Sequence, residues 1–241
     1  MTNRKVALIT GANKGIGKHV AAQLGHRGLT VYVGARDAAR GTAAVADLAA
    51  TGGDVRFVPI DVTDEVSIRA AARRIEQEAG VLDILINNAG IALQAARPSE
   101  TSLARMRSEY EVNVFGVIAT TQAFLPLLRR STSPRIVNVS SGLGSVSGAA
   151  DPDDVYKDIL ILGYRSSKSA LNMATVLFAQ ELRSAGVRVN VVDPGHRRTD
   201  LNGNAAGAGD PAEGAAVVVR VALMDDGPTG AFYGEKGSVA W

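Results

Sequence analysis

The chain has 241 residues, 46% of them hydrophobic and 21% charged, with a net charge of +2. That is the composition of an ordinary globular chain long enough to bury a core, and its charge is too small to point to nucleic acid by itself. The absence of cysteine excludes disulfides, thiolate catalysis and cysteine metal sites, and the three histidines, His19, His26 and His196, have no metal-ligand spacing.

The first five residues run straight into Val6-Ala7-Leu8-Ile9, a run too short for the apolar region of a signal peptide. The longest uncharged apolar-rich run, 112–128, contains Asn113, Thr120, Thr121, Gln122 and Pro126. It falls short of a membrane span. A buried helix, no membrane and a cytoplasmic protein are the expectation.

In chain order, short β-branched runs alternate with longer helical patterns. Residues 6–10 predict a first strand, followed by a glycine-rich turn and a helix over about 15–27. A second strand over 30–33, a helix near 38–50 and a third strand over 55–59 come next. Thr63 or Asp64 offers an N-cap for a helix over 65–79 that stops at Gly80. Residues 82–86 are an almost wholly apolar strand, and a long helical stretch with a break near Val112 follows Pro98-Ser99-Glu100 and runs to Arg130. A strand over 135–140, a helix over 164–185, a strand over 187–192, a helix near 211–224 and a strand near 230–233 complete the pattern. Strands apolar on both faces and separated by helices imply a parallel sheet covered on both sides. Right-handed crossovers make it a doubly wound, Rossmann-type α/β sheet of about seven strands. No linker or repeat interrupts the chain, so 1–241 reads as one domain. The most irregular stretches, 142–163 and 195–210, both follow strands. They belong at the carboxyl edge, where such sheets bind ligands.

Thr10-Gly11-Ala12-Asn13-Lys14-Gly15-Ile16-Gly17 joins the first strand to the first helix. Glycines permit a tight turn and close approach of the backbone to a pyrophosphate, and the helix N-terminus adds free N–H groups. The spacing is Gly-x-x-x-Gly-x-Gly and lacks a P-loop ending. A turn without a ligand is the alternative. Arg36 lies just past the second strand, where an acidic residue would receive a ribose 2′-hydroxyl. A guanidinium there suits a 2′-phosphate instead, and Lys14 adds a second cation. Arg36 also reads as an exposed loop charge. Asp37 reads as a hydroxyl acceptor or, better, as a helix N-cap.

Tyr164-Arg165-Ser166-Ser167-Lys168 opens a predicted helix, with Tyr164 and Lys168 on one face. Free tyrosine titrates near ~10, and a nearby ammonium lowers that by favouring the phenolate. Such a pair arises by chance in many helices, but this one has company. Asn87-Asn88-Ala89-Gly90 ends one strand, Ile136-Val137-Asn138-Val139-Ser140-Ser141 ends the next, Asn113 lies between them, and Pro194-Gly195 and Thr199 follow the sixth strand. With the glycine turn, this ordered set resembles the short-chain dehydrogenase/reductase family along nearly the whole chain. It is most similar to that family's carbonyl-reductase-like branch, through residues 10–17 with Lys14, Gly34-Ala35-Arg36-Asp37 and Asp225-Asp226-Gly227-Pro228-Thr229-Gly230. The final Trp241 resembles the ending of bacterial members.

The resemblance implies an NADPH-dependent reductase of a small ketone or aldehyde. On that basis Tyr164 is the general acid, and Lys168 lowers its pKa and holds the nicotinamide ribose. Ser141 binds the substrate carbonyl, and Asn113 holds a water that restores the Tyr164 proton. Gly11, Asn13, Lys14, Gly15, Ile16, Gly17 and Arg36 form the phosphate side of the NADP site. Asp61 and Val62 lie beside the adenine, and Asn88, Ala89 and Gly90 line the groove. Pro194, Gly195 and Thr199 flank the nicotinamide. Each has a plainer reading: Ser140 is the catalytic serine if the placement is off by one residue, Asn113, Asn87 and Asn88 are structural amides, and Thr199 caps a short helix. The competing functions are an NAD-dependent alcohol dehydrogenase, against which Arg36 and Lys14 argue, and a catalytically silent dinucleotide-binding regulator.

Two stretches depart from the family pattern. The segment between Ser141 and Tyr164 is about ten residues longer than in compact members and carries Asp151-Pro152-Asp153-Asp154, Tyr156 and Ile159-Leu160-Ile161-Leu162. It reads as a wall of the substrate entrance that blocks tetramer packing, giving a monomer or homodimer, or as an inert loop. In Gly195-His196-Arg197-Arg198-Thr199 the two arginines read first as solvated surface charges, and otherwise as attractors for an acidic substrate or the pyrophosphate. Residues 202–209 have little bulk and read as a mobile lid.

Overall fold

A computed structural model describes residues 4–50, 52–93 and 96–241, so the first three positions of the N-terminal reading lie outside it. Eight strands form one sheet in the order β3-β2-β1-β4-β5-β6-β7-β8. They are β1 (Val6–Ile9), β2 (Thr30–Ala35), β3 (Asp54–Pro59), β4 (Ile84–Asn87), β5 (Arg135–Val139), β6 (Arg188–Val192), β7 (Phe232–Gly234) and β8 (Gly237–Ser238). The first seven pair in parallel. The expected count of about seven is one short, because the chain turns back after β7 and pairs β8 antiparallel, Tyr233 opposite Ser238 and Gly234 opposite Gly237. Two residues are too short a run to show in a hydropathy pattern.

Period-two alternation sends strand side chains into two cores. Ala7, Ile9, Val31, Val33, Ile84 and Ile86 meet Val20 and Leu24 of helix α1 (Gly15–Gly25), Leu48 of α2 (Ala38–Ala49) and Val217, Val218 and Val221 of α8 (Pro211–Leu223). Leu8, Tyr32, Leu85, Ile136 and Val189 meet Ile68 and Ile75 of α3 (Glu65–Ala79) and Phe124 and Leu127 of α5 (Gly116–Leu128). Each such fully buried aliphatic side chain contributes about 1.5–3 kcal/mol. The ends follow the residues: Asp37 caps α2 by accepting from Arg40 N, Asp64 caps α3 by accepting from Val66 N, and Gly80 ends α3 in the left-handed region.

The break expected near Val112 is a five-residue π-helical turn, Glu111–Phe115, between α4 (Leu103–Tyr110) and α5. Helix therefore continues from Leu103 to Leu128, 26 residues whose most apolar 18-residue window has a mean hydropathy of 1.3, long and apolar enough to cross a membrane by length and composition where the 112–128 run alone falls short. More than half of its most apolar window, 56%, is buried. A core helix accounts for it, because α5 packs on α3, β4 and β5. The segment after β5 contains α6 (Val146–Ala150) and leads into α7 (Leu162–Glu181), which starts two residues before Tyr164.

Candidate active site

The sheet order reverses at β1, whose neighbours are β2 and β4. The crevice beyond their carboxyl ends is where this architecture leaves room for a ligand. Gly11 has φ +63, and a Cβ there would lie 2.9 Å from Ala89 Cα, so the turn after β1 and the segment after β4 touch backbone to backbone. Asn88 seals this contact. Its side-chain Nδ2 donates to Thr10 O at 2.8 Å and Gly11 O at 3.1 Å, while its backbone N donates to Thr10 Oγ1 at 3.0 Å. Asn88 and Ala89 thus hold the turn from behind. Asn87 is structural: its Nδ2 donates to Asn138 Oδ1 at 2.8 Å, and Asn138 Nδ2 donates to Thr175 Oγ1 at 2.8 Å, tying β4, β5 and α7 through buried amides.

Helix α1 begins at Gly15 with no side-chain cap. Its first-turn N–H groups, from Gly15, Ile16 and Gly17 beside Asn13, have no side-chain cap among the described residues, which fits a pyrophosphate. Lys14 differs from expectation. Its Nζ lies 2.6 Å from Asp200 Oδ2, a pair 55% and 60% exposed, instead of standing free beside Arg36. Opposite charges that meet across open solvent pair readily, and such pairs are weak enough for a phosphate to displace. Arg36 is exposed just after β2, and its charge helps hold the Asp61 carboxyl below the usual range, although burial of Asp61 opposes this and Thr63 contributes two hydrogen bonds. Val62 O lies 2.7 Å from where a Cβ on Gly116 would sit, fixing the 61–62 segment against α5. Thr199 Cγ2 stands 3.4 Å from the equivalent point on Gly15, over the phosphate turn.

The reacting groups converge at β4, β5 and α7. Gly90 faces Asn113 Oδ1 and Lys168 Nζ at 3.3 and 3.6 Å from its would-be Cβ. The π turn buries Asn113 completely. Its Oδ1 accepts from Ile91 N at 2.9 Å and its Nδ2 donates to Ile91 O at 2.9 Å and Ser167 Oγ at 3.0 Å. Both amide protons are thus taken, and Asn113 positions the loop after β4. Ser140 and Ser141 separate cleanly: Ser140 is buried and donates to Asn172 Oδ1 at 2.7 Å, whereas Ser141 Oγ accepts from Leu143 N at 3.2 Å and is near enough to the Tyr164 phenol to lower its pKa. Lys168 Nζ lies 5.6 Å from the Tyr164 ring centroid and donates to Val139 O at 2.9 Å.

The electrostatics run opposite to the expected lowering of Tyr164 by Lys168. Burial holds the Tyr164 phenol well above its usual range; the Ser141 hydroxyl opposes this, and the nearby Asp193 and Glu109 carboxylates add to it. Burial also lowers the Lys168 ammonium to about 8. Desolvation is the largest influence on both groups.

Several residues here carry no sequence signal. Arg165, inside the tyrosine–lysine motif, donates from Nε to Leu143 O at 3.1 Å and from NH1 to Tyr156 O and Ile159 O at 3.0 Å each, so it staples the insertion to α7. The insertion is therefore docked at the site and is no inert loop. Glu109 is buried on α4 and accepts from Leu93 N at 2.8 Å. Arg197 corrects the expectation of a solvated charge. It is 8% exposed, donates from Nε to Pro194 O at 2.8 Å, and bridges Glu213 Oε2 at 2.5 Å and Glu235 Oε2 at 2.8 Å. A buried cation needs partners, and these join the loop after β6 to α8 and the β7–β8 hairpin. Arg198, His19 and His26 are exposed. Low-bulk residues 202–209 close on this loop: Gly209 N donates to His196 O at 3.0 Å and Arg198 N to Gly209 O at 2.9 Å.

The sequence matches the family model for short chain dehydrogenase over residues 5–208. A short-chain dehydrogenase of Penicillium roqueforti is 40% identical over 225 residues, covering 91% of this chain and 88% of that protein. Salutaridine reductase of Papaver bracteatum is 33% identical, covering 97% of this chain and 95% of that protein. Among solved structures, NADPH-bound carbonyl reductase from chicken fatty liver superposes with a TM-score of 0.88 at 30% identity, over 99% of this chain and all of that one.

Proposed function

The chain belongs to the short-chain dehydrogenase/reductase family on its carbonyl-reductase-like branch, a family of oxidoreductases that bind nicotinamide dinucleotides, and from that premise we propose that it uses NADPH to reduce a ketone or aldehyde to an alcohol. The observation that carries the reading is the buried Tyr164 phenol on α7, with Lys168 Nζ 5.6 Å from its ring and Ser141 nearby at the carboxyl edge of β5. A carbonyl oxygen set between Ser141 and Tyr164 accepts a hydrogen bond from each. As charge develops on that oxygen, Tyr164 gives up its proton. A phenol is in its acid form over the whole neutral range, as reduction requires of a proton donor. The Lys168 ammonium beside it favours the phenolate that proton transfer leaves behind.

The uncapped start of α1, Gly11 and Asn88 suit a pyrophosphate, and the exposed Arg36 suits a 2′-phosphate. Pro194, Gly195 and Thr199, on the opposite bank, would hold the nicotinamide end. When bound, the reduced dinucleotide would supply the hydride. The similar carbonyl reductase from chicken fatty liver is bound to NADPH, which supports the same choice of cofactor.

The test is NADPH consumption over a panel of aldehydes, ketones, ketoesters and diketones, with NADH and Tyr164→Phe run beside it. Turnover should favour NADPH, and Tyr164→Phe should lower kcat/KM by roughly 10²–10⁴-fold while NADPH binding, read by fluorescence, stays. A wild-type protein that binds NADPH and reduces none of these carbonyls would remove the reading.

A further inference from the structure

We propose that the cavity at the carboxyl end of β6, lined by Asp193, selects carbonyl substrates that carry an ammonium group, and that Asp193 is the carboxylate that receives it. The inference rests on the reductase reading above and names a substrate class for that site. A cavity of about 380 Å³ opens between the insertion, the loop after β6 and the β7–β8 hairpin, lined among others by Tyr156, Asp193, Gly195, His196, Glu235 and Lys236. That is room for a small organic molecule.

Asp193 follows directly on β6, so the sheet fixes its backbone. Its Oδ1 accepts from Gly195 N at 2.9 Å. Its Oδ2 lies 3.1 Å from where a Cβ on Gly142 would sit, and Tyr156 Cε2 lies 3.2 Å from the same point. The carboxylate thus sits against Tyr156 of the insertion and Gly142, the residue after Ser141. Its charge raises the pKa of both the Tyr164 and the Tyr156 phenols, after the larger effect of burial.

No cation among the described residues pairs with Asp193. Arg197, four residues on, is held by Glu213 and Glu235. One guanidinium facing two carboxylates leaves that cluster negative. Glu109 adds a further carboxylate on the far side of Tyr164. Lys236 is exposed at the hairpin turn, at the rim of the cavity. Arg197 lines the same cavity, but Glu213 and Glu235 take its charge, so Asp193 is the lining carboxylate with no ion-pair partner among the described residues. A carboxylate drawn out of water is costly unless a cation meets it, and a substrate ammonium would do so with a charge-assisted hydrogen bond. A substrate carboxylate would meet like charge there.

The experiment takes three aryl ketones of equal length ending in an ammonium, a methyl group or a carboxylate. It reads kcat/KM with NADPH for wild type, Asp193→Asn and Asp193→Glu, and the affinity of each ketone for the NADP-saturated protein by calorimetry. The ammonium-to-carboxylate ratio of kcat/KM should be on the order of 10–100 in wild type. It should fall to within about threefold of unity in Asp193→Asn and largely persist in Asp193→Glu. A wild-type ratio near one with the methyl ketone turned over, or a ratio unchanged in Asp193→Asn, overturns the proposal and leaves the reductase reading standing. If no ketone is reduced but the ammonium compound binds tightest by calorimetry, the selection holds and the reductase reading fails. Should Asp193→Asn not fold, the ratios in wild type and Asp193→Glu decide: values at or below one in both overturn it.

Discussion

On the bank of the cleft built by β1, β2 and β4, the groups facing a ligand are backbone N–H and C=O groups held by neutral amides such as Asn88 and Asn113. On the bank built by the insertion, the loop after β6 and the β7–β8 hairpin, they are charged side chains, Asp193, Arg197, Glu235 and Lys236, on irregular backbone. Apart from Arg36 and Lys14 at its edge, the first bank is determined by sterics and cannot be retuned without moving strands. The second is set by electrostatics between residues far apart in sequence, and one substitution changes it. The contrast separates what a shared cofactor demands from what an individual substrate demands.

The largest expected effect tests the steric bank. A Cβ on Gly17 would lie 2.5 Å from Asn88 Nδ2, 2.9 Å from Gly11 O and 3.0 Å from Ala12 Cα. None of these can retreat, because the Asn88 amide is pinned to Thr10 O and Gly11 O. Gly17→Ala should cost about 1–3 kcal/mol by overpacking, a little offset by alanine's helix preference. It should also weaken NADPH binding by more than about tenfold, since about 1.4 kcal/mol is a factor of ten. Denaturant melts and NADPH titration check this. A variant with wild-type stability and affinity would mean that the turn is plastic and that the contrast between the banks is false.

Arg197→Met tests the other bank. The guanidinium is buried but Glu213 and Glu235 are each 62% exposed, so their carboxylates regain water when the cation goes. The loss is therefore below that of a fully buried pair, about 1–3 kcal/mol. Because Arg197 ties the hairpin to the loop after β6, substrate KM should rise more than the Kd for NADPH. Steady-state kinetics beside a cofactor titration read the two, and the reverse order would assign Arg197 to the cofactor.

The same division explains what the sequence made legible. The strand and helix order, the Asp37 and Asp64 caps, the glycine turn and the tyrosine, lysine and serine positions all rest on local pattern. Arg165, Asp193, Arg197 and Glu109 do not: nothing within a few residues of Arg197 announces Glu213 or Glu235, and a lone arginine after Pro-Gly reads as surface. The raised Tyr164 pKa was equally hidden, since burial is a property of the packed chain while the spacing to Lys168 is local. Strand β8 escaped because two residues have no periodicity to detect.

Arg36 gives the smallest effect and the sharpest one for cofactor choice. It is exposed and makes no ion pair among the described residues, so Arg36→Ala should leave the melting temperature unchanged. The loss of one charge-assisted contact to a 2′-phosphate should raise the KM for NADPH about tenfold and leave that for NADH within about twofold. Lys14→Ala is the control, because Lys14 is already paired with Asp200 and a phosphate must compete for it; its effect should be the smaller of the two. Equal losses with both dinucleotides in Arg36→Ala would place the guanidinium on a part they share. A larger loss in Lys14→Ala than in Arg36→Ala would mean that the phosphate breaks the Lys14–Asp200 pair on binding, and that the loop after β6 is released from the glycine turn as the cofactor enters.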